Sequence, residues 1–77
     1  MTESEGGGPV WFFFEGTDVV LWAEEVAKER GIPAEVVPTP RGVRRRCKLS
    51  VCTDATRAQD FEDALRQEEI EYARYPR

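Results

Sequence analysis

Two Thr-Asp pairs, Thr17-Asp18 and Thr53-Asp54, each stand between a short apolar run and a segment of helical spacing. Residues of this kind accept hydrogen bonds from the free N–H groups of a first helical turn, and the carboxylate complements the helix dipole. The chain therefore divides into two halves of similar length, each reading strand, helix, strand. Val10–Phe14 is the first strand, with apolar side chains on both parities, the pattern of a central strand covered on both faces. Val19, Trp22, Ala23, Val26 and Ala27 then recur at helical spacing opposite Glu24, Lys28 and Glu29, and Gly31 and Pro33 end the helix. Ala34–Val37 predicts a second strand, and Pro38-Thr39-Pro40 confines it to a sheet edge because proline cannot donate to a ladder.

Cys47–Cys52 alternates like a third strand, with Leu49 and Val51 toward a core and Lys48 and Ser50 facing away. Ala58, Phe61, Ala64 and Leu65 stripe a second helix, and Ile70 with Tyr72–Tyr75 supplies a last strand. Trp22 and Phe61 are expected in the core. The order predicts an α+β, ferredoxin-like βαββαβ fold: an antiparallel four-stranded sheet with two helices on one face. Met1–Pro9 is polar and glycine-rich and is expected to be a mobile tail, leaving residues 10–77 as a single domain.

With 77 residues the core is thin, since a chain of this size buries only about 60% of its unfolded surface. At 40% hydrophobic and 10% aromatic residues it is nonetheless too rich for a disordered chain. The absence of histidine excludes a Ser-His-Asp or Cys-His machine, and two cysteines alone cannot complete a four-ligand zinc site. No glycine arrangement forms a phosphate loop: Gly6–Gly8 lacks a lysine-serine ending. No metal and no cofactor are expected. The longest apolar runs, Val10–Phe14 and Val19–Ala23, are far short of a membrane span, and no basic start leads into an apolar signal segment. A cytoplasmic protein with reduced thiols is expected.

Charge is distributed unevenly. Residues 1–40 carry −6 and residues 49–77 carry −3, while Arg41–Lys48 between them has five bases and no acid. One basic segment with Cys47 inside it thus interrupts an acidic body. On spacing alone Cys47 reads as a small residue packed at a strand start, sharing the parity of Leu49 and Val51. Cys52, five residues on, points to the opposite face and reads as packing; C-x₄-C is not a redox pair. Arg44, Arg45 and Arg46 read as a solvated surface, an anion or nucleic-acid binding module, or a dock for an acidic protein. The acidic body argues against nucleic acid, and the third strand offers no aromatic to complete a base-stacking platform with Trp11 or Phe13. Trp11 and Phe13 share one parity of the first strand and point to an interface, hence a homodimer or larger assembly.

Ala23-Glu24, Gly31-Ile32-Pro33, Pro38-Thr39-Pro40-Arg41 and a cysteine six residues past that arginine form a pattern along most of the chain. The pattern resembles the small bacterial and archaeal family of selenium/sulfur carrier-like proteins. The resemblance implies a ferredoxin-like fold, a cytoplasmic setting and a carrier thiol at Cys47, with Pro38, Thr39, Pro40 and Arg41 in the loop that presents it. It implies a stoichiometric carrier more than a turnover enzyme, working between a cysteine desulfurase-type donor and an acceptor protein. Thr39, Arg41, Arg44, Arg45, Arg46 and Lys48 would bind those partners. Where the family usually has glycine after this cysteine, Lys48 stands here, and Arg44-Arg45-Arg46 replace its usual small polar residues. A carrier thiol has to ionise near neutral pH, and an exposed arginine at roughly 6 Å favours the thiolate by about 0.7 kcal/mol. The helix dipoles are expected to oppose this, if both helices finish at the end of the sheet where the third strand starts. The alternative without carrier chemistry is a protein-interaction subunit that uses the basic segment and the aromatic sheet face.

Overall fold

The computed structural model of the protein describes residues 8–39 and 48–75. Six elements follow one another: β1 (Pro9–Phe13), α1 (Thr17–Glu29), β2 (Ala34–Pro38), β3 (Leu49–Asp54), α2 (Ala55–Gln67) and β4 (Ala73–Tyr75). The four strands form one sheet in the order β2-β3-β1-β4, each neighbouring pair antiparallel, which is the ferredoxin-like arrangement expected. β2 and β4 are the edges. Pro38 remains within β2 because an edge strand can leave one side of its backbone unpaired.

Strand parity separates two faces. Val10 and Phe12 on β1 and Val51 on β3 face the helices and are buried with Val20, Ala23, Val26, Ala27, Phe61 and Leu65. Phe12 lies at the centre: its ring meets Phe61 edge-on at 4.8 Å and Tyr72 at 5.6 Å. Burying a side chain of this size fully stabilises a fold by about 3 kcal/mol, a large share for a small domain. β3 lies two residues later than the alternation predicted, because Thr53 and Asp54 stay in the ladder opposite Val10 and Pro9. Cys47, the expected first residue of that strand, lies outside the described residues.

Gly8 and Pro9 belong to the domain rather than to a tail. Pro9 opens β1, and the Gly8 carbonyl accepts the Ala55 N–H at 3.1 Å. Phe61 is fully buried as expected, but Trp22 is 47% exposed and Leu21 53% exposed. At about 100° per residue, Trp22 sits at the border of the stripe formed by Val20, Ala23, Val26 and Ala27, and Leu21 lies behind it. Ser50 faces as expected. It points away from the helices yet has no exposed surface.

Both helices end the same way. After α1, Gly31 adopts φ +70°, its N–H bonds Lys28 O, and the Ile32 N–H reaches Ala27 O at 2.8 Å. After α2, Glu69 adopts φ +59°, its N–H bonds Arg66 O, and the Ile70 N–H reaches Leu65 O at 2.9 Å. These are paired Schellman closures, each followed by a buried isoleucine. Glu69 takes this left-handed turn with a Cβ, where glycine has no steric penalty.

Glu62 of α2 is buried between helix and sheet. The Tyr72 hydroxyl donates to its Oε1 at 2.7 Å, and the Arg74 guanidinium donates to Oε2. Burial alone would raise the carboxyl pKa. The Tyr72 bond and the Arg74 bond and charge outweigh it and hold the group below its usual range.

Two outcomes follow from these geometries. Glu69→Gly should raise the urea midpoint by the equivalent of about 1 kcal/mol, whereas Gly31→Ala should lower it by a similar amount. Because the Glu62 pKa is depressed in the folded state, its stabilisation is complete above the unfolded value of about 4.3 and fades as pH falls through the folded value. Glu62→Gln should therefore be less stable than wild type at pH 7, with the difference shrinking in urea melts below about pH 4.

Candidate functional site

The connection between β2 and β3 is where the sequence concentrates its unusual chemistry. The strand register pairs Pro38 with Leu49, and the next pair continues it: the Thr39 N–H donates to Lys48 O at 2.7 Å. Thr39 Oγ1 lies 2.8 Å from Ser50 Oγ, which gives the buried Ser50 hydroxyl a partner. The segment 40–47 thus leaves and returns through adjacent, hydrogen-bonded residues. Thr39, expected to meet a partner protein, anchors this root, while Lys48 is exposed beside it. Arg41, Arg44, Arg45, Arg46 and Cys47 lie outside the described residues.

This root sits at the end of the sheet where β1 finishes and α1 begins. The expectation that both helices finish there is overturned for α1, whose N-terminus lies at this end. Its dipole favours an anion there instead of opposing one. The reason is topological: β1 and β3 are antiparallel neighbours, so the start of one lies beside the end of the other.

The sheet face away from the helices carries a row across all four strands. Glu35 pairs with Cys52, Cys52 with Trp11, and Trp11 with Tyr75. Trp11 is half-buried, with its ring 6.1 Å from that of Tyr75, which is 47% exposed. Phe13, expected to share the interface role of Trp11, is itself buried at 4% exposure, with its ring 6.4 Å from Tyr75. Cys52 is half-buried in this row. Burial pushes its thiol pKa up, and the carboxylates of Glu35 and Asp54 push it further. It is a poor thiolate. At the far end from the β2–β3 root, Glu35 and Asp54 rim an open depression of about 630 Å³ over Pro9, Pro33 and Cys52.

Sequence reasoning named Thr39 and Lys48 but missed Ser50, Glu35 and Tyr75. The alternation of β3 did place Ser50 on the outer face, so the signal for its pairing with Thr39 was present in the edge-strand register. Among the described residues no cluster of His, Cys, Asp and Glu side chains could hold a metal ion, and no helix is long and apolar enough to cross a membrane.

A family model described as "Putative Se/S carrier protein-like" matches residues 10–76. The chain belongs to this Se/S carrier-like family. The match begins in β1, ends past β4 and includes the whole basic segment with Cys47. No curated protein and no solved structure matches this Se/S carrier-like protein significantly.

The electrostatics of Cys52 give a direct expectation. In a Cys47→Ser variant, whose one remaining thiol is Cys52, alkylation by iodoacetamide at neutral pH should be slower than for a free thiol of pKa about 8.5, and should accelerate only at more alkaline pH. Rapid alkylation at pH 7 would contradict the raised pKa.

Proposed function

We propose that the protein carries sulfur or selenium on Cys47, as a persulfide or selenosulfide, between a donor enzyme and an acceptor protein in the cytoplasm. The observation that carries this reading is the family match over residues 10–76, which spans the basic segment and its cysteine. Two features support Cys47 over Cys52 as the carrier. Cys52 stands in a strand where burial and two carboxylates disfavour its thiolate. Cys47 stands among five basic residues, which favour an anion, on a segment rooted by Thr39 and Lys48.

The loading step balances simply. The Cys47 thiolate attacks the terminal sulfur of a donor Cys–S–SH; a new S–S bond forms and the donor's S–S bond breaks. The donor leaves as a thiolate, and Cys47 holds the terminal –SH. Delivery repeats the exchange with the acceptor as nucleophile. Arg41 and Arg44–Arg46 serve to lower the thiol pKa and, with Lys48, to steer an acidic partner surface to the sulfur. A cysteine desulfurase-type enzyme fits the donor role, and the carrier needs no cofactor of its own.

A second reading, an interaction subunit without carrier chemistry, is favoured by the half-buried Trp11 and exposed Tyr75 on the sheet face away from the helices. Incubation with a cysteine desulfurase and cysteine, followed by intact-mass measurement, separates the two. A one-sulfur adduct is expected on wild type and on Cys52→Ser, and absent from Cys47→Ser. An adduct that persists in Cys47→Ser, or none on wild type, would sink the carrier reading.

A further inference from the structure

We infer that the outward face of α1 is a docking surface for a basic, amphipathic helix of a partner protein. Leu21 and Trp22 are two of the three large apolar side chains exposed among the described residues, and they stand next to each other. At about 100° per residue they flank Glu25, with Asp18 and Glu29 in the same arc, opposite the buried stripe of the helix. All three carboxylates are exposed. A single exposed apolar side chain is ordinary. A leucine and a tryptophan together, rimmed by charge, mark a contact surface.

Charge selects the partner. The acids of α2 are answered within the fold: Asp60 by Arg57, Asp63 by Arg66 and Glu62 by Arg74. Among the described residues, Asp18, Glu25 and Glu29 have no ion-pair partner, and Lys28 is the one base on that side of α1. Their charge is turned outward around the apolar pair. A lysine or arginine can lay its aliphatic stem on Leu21 or its cationic head over the Trp22 indole, and meet these carboxylates at the same time. A second copy of this chain is a poor occupant, because α1 against α1 sets carboxylate on carboxylate. Nucleic acid and anionic membranes are repelled for the same reason.

Spacing suits a helix. Asp18, Trp22, Glu25 and Glu29 follow one another at steps of four, three and four, so they form one ridge that a facing helix can pack along at a shallow angle. Size sets the strength. A helix of 13 residues is about 20 Å long and about 10 Å across, roughly 200 Å² of flat face. A standard interface buries roughly 800 Å² per partner, so this contact is weak and depends on its charges. The inference stands without the carrier reading, since it uses neither cysteine.

Fluorescence anisotropy tests this with the full chain and a labelled helical peptide of leucine and lysine alone, its leucines on one face. Binding is expected with a Kd on the order of 10 μM at about 0.1 M salt, weakening about tenfold at about 1 M. A matching peptide of leucine and glutamate should not bind. Leu21→Ala with Trp22→Ala should weaken binding about tenfold and leave the circular dichroism unchanged, because neither side chain is in the core and alanine favours a helix. Asp18→Asn, Glu25→Gln and Glu29→Gln together should cost about the same at low salt. Removing equal charge elsewhere, with Glu35→Gln, Glu69→Gln and Glu71→Gln, should change the Kd less than about twofold. No binding up to about 1 mM, equal weakening by the two charge variants, or unchanged binding to the Leu21→Ala, Trp22→Ala variant would each overturn the proposal. So would self-association of the chain that this last variant dissolves, which would give the face to a second copy.

Discussion

The contact of Phe12 with Phe61 and Tyr72 ties together the two halves of a chain that has little else to bury. Phe12 comes from the first strand-helix-strand unit, and both of its aromatic partners come from the second. A small domain has only one layer of core between its helices and its sheet, so a single fully buried ring on a central strand touches most of what is inside. Tyr72 extends the same cluster to a charged one, because the hydroxyl at the far side of its ring holds Glu62. Helix α2 is thereby seated through packing at Phe61 and through hydrogen bonding at Glu62, one residue apart. The hydroxyl of Thr53, donated to the carbonyl of Pro33, fixes the turn after α1 to the end of β3 in the same half-apolar, half-polar manner.

The architecture was legible because the signals that specify it are local. Alternation in Val10–Phe14, the stripe Ala58, Phe61, Ala64 and Leu65, the stop at Gly31 and the prolines after Val37 each depend on neighbours only a few residues away. Trp22 was misplaced because its spacing fits the edge of an apolar stripe, and only the tilt of a helix on its sheet decides whether such a position is covered. The direction of Ser50 was legible, but its burial was not. Facing away from the helices predicts exposure only where no side chain lies across it, and Thr39 reaches it from the neighbouring strand. The second Schellman closure was invisible because Glu69 stands where a reader of sequence looks for glycine.

The candidate site was legible in composition more than in geometry. Five bases around Cys47 stand out in an otherwise acidic chain, and the family match covers that segment. What sequence could not convey was the way the strands close beneath it. The direction of α1 relative to that end depends on strand order, which spacing does not encode. Nor did the sequence reveal that Glu35 lies beside Cys52, since the two come from separate strands and meet only through the register.

The two edges of the sheet carry a further consequence. An exposed strand edge is a template on which other chains can add, and natural sheets blunt it with proline, charge or brevity. Here β2 ends in Pro38, follows directly on Pro33 and carries the exposed Glu35, while β4 is only three residues long. Both borders therefore resist growth by strand addition. The described backbone thus offers a neighbour little ladder to extend on either side of the Trp11–Tyr75 row.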